Sequence, residues 1–233
     1  QDKGNSIRAN GSAAYIRSTE GKWPVLQAGV DASFDKTLNR TEWNNITNIL
    51  TVPTIVNDIQ FQRDEAVNGN YAANASAMRH LGKSYYLEPE LKAGINTQAI
   101  NRRQGVPGAE QGTIDSLSPD FTRTYQWLRP GLSLRKSAGK NNLNISLSAE
   151  AATLSSLLND VTTQSGSYAY VLPSVNWQYE FNSSKRLSLG YTTAVTAPAA
   201  SRMLPVLNNA NPLQQYRGND KLVPEYRHTA NAS

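Results

Sequence analysis

Three charged residues at alternate positions, Glu88, Glu90 and Lys92, have types and a spacing that could perform chemistry. In a β-strand, residues two apart lie on the same face, so their charged groups would be neighbours. Paired carboxylates can serve as general acid and base, or as ligands for a cation. The alternative is a charged row lining a water-filled space and partly neutralised by cross-strand pairs. We favour this structural interpretation, and predict no catalytic residue, no cofactor and no metal.

The composition narrows the possible functions. The 233 residues contain no cysteine and two histidines, which excludes thiolate metal sites and cysteine nucleophiles. Lys and Arg number 23 against 18 Asp and Glu, a net charge of +5. Because this charge is scattered and contains no basic run, we expect no nucleic-acid partner. No run of apolar residues approaches the roughly 18 that a membrane-spanning helix needs.

The elements that would position these residues are strands, because apolar residues recur at every second position in much of the sequence. Between Val171 and Asn182, Val175 and Trp177 alternate with polar residues. The opposite face of this segment carries Asn176, Gln178 and Glu180, which we assign, with Glu88, Glu90 and Lys92, to a polar lumen. Strict alternation over this length indicates a strand with one apolar and one polar face. The segments around Leu91, Ile145 and Leu189 show the same pattern.

The sequence predicts nine strands and therefore an all-β fold. Their predicted ranges are 5–18, 23–38, 58–80, 84–101, 124–136, 142–157, 169–181, 186–197 and 223–233. Several exceed the typical globular strand of about 5–6 residues and are long enough, at about 9–11, to cross a bilayer obliquely. We expect consecutive strands to pair in sequence order, as an antiparallel up-and-down meander.

The links between the predicted strands alternate in length. Links 19–22, 81–83, 137–141 and 182–185 are short, whereas 39–57, 102–123, 158–168 and 198–222 are long. Short turns on one side and long loops on the other are typical of transmembrane β-barrels. The sequence therefore predicts a transmembrane β-barrel meander with the short turns at one end.

Aromatic residues cluster near the predicted short turns, where a girdle at the membrane interface would lie. They are Trp23, Tyr85, Tyr86, Tyr179 and Phe181, with Tyr125 and Trp127 expected near the opposite end. The alternative is that strands are simply rich in Tyr and Trp. We favour the girdle because the residues gather at strand ends.

The last third of the chain carries a specific set of residues. It runs from Val171-Leu172-Pro173 through Leu187 to Thr192, and then through Pro198, Asn211, Pro212, Gly218, Asn219, Leu222, Pro224 and Glu225. This series resembles the late barrel region of TonB-dependent receptors, a family of large outer-membrane β-barrels. Ala199 and Ala200 depart from the family pattern, which usually has a serine after the proline.

The resemblance implies that the chain is a segment of a receptor that imports a nutrient across the bacterial outer membrane. Such transporters have about 22 strands around a plugged lumen, and nine strands would supply well under half of one. We therefore expect a single domain, residues 1–233, that is a barrel segment without a plug domain. The implied partners are outer-membrane lipid and lipopolysaccharide, a plug domain, the TonB complex and a surface lipoprotein.

Two other classes of protein remain possible from the sequence. One is a complete small barrel of ten strands, or a structural or docking barrel without TonB-coupled transport. The other is a soluble β-rich binding domain. The transported substrate is not encoded in any motif that we recognise.

The signature residues suit shaping a chain better than catalysis. Pro212 and Pro224 fix φ, Gly218 is expected to have a positive φ, and Asn219 to close an Asx turn. We expect Glu225 to accept hydrogen bonds from Arg217 or Arg227. Our hypothesis is that this segment folds back over the barrel mouth and fixes the register of the following strand. A ligand-binding role is the alternative.

Overall fold

The computed structural model describes residues 2–18, 25–49, 54–106, 112–208 and 215–233. Nine strands of the described chain form one antiparallel sheet, in which they lie side by side in chain order. Its strands are β1 (Asp2–Arg17), β2 (Val25–Ile49), β3 (Thr54–Gly82), β4 (Tyr85–Gly105), β5 (Asp120–Ala138), β6 (Asn141–Leu158), β7 (Val161–Asn182), β8 (Lys185–Thr196) and β11 (Glu225–Ala232). The predicted all-β fold, the nine strands and their pairing in sequence order are confirmed.

Two of the connections between strands contain short elements of secondary structure. A 3₁₀ turn, Asp115–Leu117, lies between β4 and β5. Between β8 and β11 the chain forms a four-residue helix, α1 (Ala200–Met203), and a small hairpin of β9 (Leu207–Asn208) and β10 (Tyr216–Arg217). No helix among the described residues is long and apolar enough to cross a membrane.

Tight turns join three strand pairs at one end of the sheet, as predicted. In the β3–β4 turn, Lys83 and Ser84 have φ values of 49° and 71°, which suits the strand twist of a two-residue hairpin. In the β5–β6 turn Gly139 takes a φ of 52°, and in the β7–β8 turn Asn182 Oδ1 accepts a hydrogen bond from Ser184 N at 3.0 Å. The predicted link 19–22 lies outside the described residues, but β1 ends and β2 begins at this same end.

The predicted long link 158–168 is wrong. Asn159 and Asp160 both have positive φ, 49° and 64°, and close a two-residue turn between β6 and β7. Asn and Asp tolerate this conformation, so the pair is itself a hairpin signal. The polar run that follows pairs with β6, and Tyr168 lies over Gly166, whose added Cβ would be 2.8 Å from the Tyr168 hydroxyl oxygen. The strict alternation of short and long links therefore does not hold.

The predicted long link 39–57 is also largely strand. β2 and β3 remain paired from Val25↔Met78 as far as Ile49↔Thr54. On the other side of β3, β4 pairs only as far as Phe61. The strands β2 and β3 therefore continue, paired with each other, beyond the end of β4.

The buried core lies on one face of the sheet, beneath the connection from β8 to β11. Phe121, Tyr125 and Leu154 pack there against Ala200, Met203 and Leu204. The four residues of β5 and β6 that contribute to this core lie at odd positions of β5 and even positions of β6, and the residues that alternate with these positions are less buried. Burial of these side chains holds the connection against the sheet, since about 25 cal/mol is gained for each Å² of apolar surface removed from water.

Candidate functional site

The strand register divides the side chains of the sheet between two faces. The polar face is the one covered by α1, and it holds the even positions of β4, β6 and β7 and the odd positions of β5. The apolar face holds the opposite set, with Leu91, Leu132, Leu147 and Val171 all exposed on it. Large exposed apolar side chains on one face of a sheet indicate a nonaqueous surrounding.

The sequence-predicted lumen residues lie on the polar face but form no single site. Glu90 and Lys92 pair with each other on β4, with 2.8 Å between Oε2 and Nζ. Glu180 pairs instead with Arg186 of β8, at 2.6 Å. β5 and β6 separate the β4 group from the β7 group, so Glu88, Glu90 and Lys92 are not brought near Asn176, Gln178 and Glu180. That these residues line a lumen stays a prediction.

Glu150 and Arg123 are the two most buried charged residues on the described part of the polar face, and Glu150 was not predicted from the sequence. Its side chain is fully buried and accepts hydrogen bonds from the Tyr125 hydroxyl and from the Arg129 guanidinium, where Nε lies 2.9 Å from Oε2. The Arg129 guanidinium also lies 4.8 Å from the Trp127 ring centroid. The signal available in the sequence was a single carboxylate in a strand of small and apolar residues, Ser148 to Thr153.

Tyr125 and Trp127, expected near the end of the sheet opposite the tight turns, lie in the half of β5 nearest that end. Both are on the polar face, where Tyr125 is buried and Trp127 packs against the same core. Near the turn end, the predicted clustering of Tyr179 and Phe181 is present, with ring centroids 4.9 Å apart. Trp23 lies outside the described residues.

A row of polar side chains, joined by hydrogen bonds, crosses four strands on the same face as Glu150. Arg123, which is 2 % exposed, donates to the side-chain oxygen of Asn96. Asn96 donates to Asn70, and Asn70 donates to Ser33 Oγ at 3.3 Å. These side-chain hydrogen bonds therefore link β5, β4, β3 and β2. They favour the observed register of the four strands.

Ion pairs mark the end of β4 opposite the tight turns. Arg102 pairs with Asp64 at 2.9 Å, and Arg103 with Asp120 at 2.8 Å. The first pair joins the end of β4 to β3, and the second joins it to the first residue of β5.

Most of the signature residues lie in the connection that covers the polar face. Asn219 Oδ1 accepts a hydrogen bond from Lys221 N at 3.0 Å, which is the expected Asx turn. Leu222 packs against the core, and its carbonyl oxygen accepts a hydrogen bond from Gln164 Nε2 at 3.1 Å. Pro224 is buried immediately before β11, Pro198 precedes α1, and Asn211 and Pro212 lie outside the described residues. The proposed control of strand register by this segment stays a prediction.

Two expectations about the signature are wrong. Gly218 does not have a positive φ. It is needed for close approach, since an added Cβ would lie 2.4 Å from the Leu204 carbonyl oxygen and 2.7 Å from that of Arg202. Arg217 donates to the Pro205 carbonyl at 2.9 Å, and neither Arg217 nor Arg227 donates to Glu225 within the described chain.

The arrangement offers hydrogen bonds and fixed charges, and nothing in the described chain resembles a metal centre. No group of three or more His, Asp and Glu residues of these ranges could hold a metal ion. Buried ion pairs and amide chains hold a sheet in one register and give its face a defined polarity. The polar face is thus built to contact water or a polar partner.

The meander with one apolar and one polar face has the architecture of an outer-membrane β-barrel wall. Residues 26–233 match the model of the outer membrane protein beta-barrel family, so the chain belongs to that family and to the outer membrane. It is similar in fold to the ferric citrate transporter FecA in its unliganded crystal structure, with a TM-score of 0.57 and 14 % identity. The similarity covers 83 % of this chain and 28 % of that one, so the chain spans less than a third of the transporter's length. No curated protein matches the sequence.

We predict that an arginine is tolerated differently on the two faces of β7. Val175→Arg, on the apolar face, should cost roughly 2–4 kcal/mol of folding free energy, because the charge must enter the hydrocarbon. Asn176→Arg, one residue away on the polar face, should cost much less. Urea titrations of the full-length protein in lipid vesicles would measure both. Equal losses would contradict the assignment of the faces.

Proposed function

We propose that this chain is part of the barrel of a TonB-dependent outer-membrane receptor that imports a nutrient. The observation that supports this most is the polar face of the sheet. It contains the buried residues Glu150 and Arg123, and the connection from β8 to β11 packs against it. Such a face suits a wall around a polar, protein-filled lumen. The resemblance of the signature residues to the late barrel region of these receptors supports the same function.

The open edges of the sheet support a larger barrel. In the described chain, β1 and β11 each pair with one neighbour only. A lipid-exposed edge leaves backbone groups without hydrogen bonds, so further strands must cover both edges in the membrane. Plugged transporters have about 22 strands, so nine strands would form less than half of such a barrel. The rest of the polypeptide would supply the other strands.

TonB binding tests this function directly. The full-length protein, purified in detergent, would be titrated calorimetrically with the periplasmic domain of TonB from the same bacterium. We expect saturable binding, with the heat-denatured protein as the control. A folded barrel, identified by its heat-modifiable gel mobility, that binds no TonB would overturn the proposal in favour of a structural or docking barrel. A plug domain, lipopolysaccharide contact and a surface lipoprotein partner belong to the same proposal.

A further inference from the structure

Positive charge is concentrated at the tight-turn end of the sheet. Four described stretches lie there and together contain eight Lys and Arg but only two acidic residues: 14–18, 79–88, 135–144 and 179–188. Their net charge of +6 exceeds the +5 of the whole chain, so the remaining residues together have a net charge of −1. The tight-turn end therefore has a positive electrostatic potential, whereas the rest of the chain is close to neutral.

Several of these cations lie on the outside of the predicted barrel wall. Arg17 of β1, Arg79 of β3 and Lys136 of β5 occupy register positions of the apolar face. Lys83 lies in the β3–β4 turn and Lys185 directly follows the β7–β8 turn, and both are exposed. These five residues form a basic rim around the end of the sheet that carries the tight turns.

Aromatic rings lie among these cations on the apolar face. Lys136 Nζ is 5.3 Å from the centroid of the Tyr85 ring. Trp177 and Tyr179 follow on β7, with ring centroids 6.3 Å apart, and Trp177 Nε1 donates to Asn141 Oδ1 at 2.9 Å. Tyrosine and tryptophan next to lysine and arginine anchor a membrane protein at the depth of the lipid headgroups. The outward cations of the basic rim therefore lie where they can contact headgroups.

We propose that the basic rim selectively binds anionic phospholipids, such as phosphatidylglycerol, in the periplasmic leaflet of the outer membrane. The tight turns of such barrels are periplasmic, so the rim lies in this leaflet. Each lysine or arginine near an anionic lipid surface strengthens binding about fivefold. An acidic periplasmic protein would fit less well, since Arg17, Arg79 and Lys136 face the side occupied by lipid. The proposal rests on the barrel family and not on TonB coupling.

Native mass spectrometry of the full-length protein in detergent tests the proposal. The protein would be mixed with equal amounts of phosphatidylglycerol and phosphatidylcholine, and the bound lipids counted. The unaltered protein should prefer phosphatidylglycerol, and the preference should fall as the salt concentration rises, because salt screens exposed charges. Equal binding of the two lipids, or a preference that salt does not change, would overturn the proposal.

Matched double variants test whether the basic rim is the site. Lys83→Gln with Lys185→Gln should lower the affinity for phosphatidylglycerol about 30-fold, because two cations are lost. Arg63→Gln with Lys221→Gln, which removes two exposed cations at the other end of the sheet, should leave the affinity unchanged.

The variant with Lys83→Arg and Lys185→Arg keeps the charge and should bind phosphatidylglycerol as the unaltered protein does. Heat-modifiable gel mobility identifies the folded variants. An equal loss of affinity in both glutamine variants, or no loss in either, would overturn the proposal. A TonB-binding failure with a normal lipid preference would leave it standing.

Discussion

Glu150→Ala is expected to lower the free energy of unfolding of the full-length protein by roughly 2–3 kcal/mol. The substitution leaves the buried Tyr125 hydroxyl without its acceptor, which costs about 1–3 kcal/mol. Removing one partner of a fully buried ion pair costs about 3–5 kcal/mol, but Arg129 is 28 % exposed and can turn towards water. The expected total therefore falls below that range.

The control for this prediction is a second carboxylate on the same face. Glu180 pairs with Arg186, and the two side chains are 43 % and 59 % exposed. Exposed pairs contribute about 0–1 kcal/mol, so Glu180→Ala should be nearly neutral. Urea unfolding in lipid vesicles, followed by tryptophan fluorescence, measures both variants. Equal effects would mean that the Glu150 network contributes no more than a surface ion pair.

Gly218→Ala is expected to detach the connection that covers the polar face. The new methyl group would meet the backbone of Leu204 and Arg202 at 2.4–2.8 Å, and backbone atoms cannot move aside as a flexible side chain can. Gly218 N and Asn219 N donate to the carbonyl oxygens of these same residues, at 2.9 and 2.8 Å. Overpacking of this kind costs about 1–3 kcal/mol, here confined to the connection.

Limited proteolysis measures this local effect. Trypsin should cut the full-length Gly218→Ala protein after Arg202 faster than the unaltered protein, while the strands remain protected. Gly11→Ala is the matched control, because an added Cβ at Gly11 meets nothing within 4 Å. If both variants are cut at the unaltered rate, the close approach at Gly218 does not hold the connection in place.

Errors in the predicted links have a common physical origin. The polarity of two runs, Gln164 to Ser167 and the residues from Asn39 onward, predicts loops there. In the structure both runs are strands paired with a neighbour. The backbone hydrogen bonds that pair two strands can form whether the side chains are polar or apolar. The tight turn at Asn159 and Asp160 was recognisable from residue type, since both tolerate a positive φ.

The sequence by itself determined the fold class, the number and order of the main strands, the turn end of the sheet and the two-faced pattern. These follow from the period of two and from turn residues, which act over a few neighbouring positions. Only the tertiary structure decided which polar residues meet: Glu150 with Tyr125 and Arg129, and Arg123 with Asn96. It also decided that Gly218 serves close packing and not a positive φ. Such contacts depend on strand register and on a connection that returns to the sheet, and a shift of one residue would place every side chain on the other face.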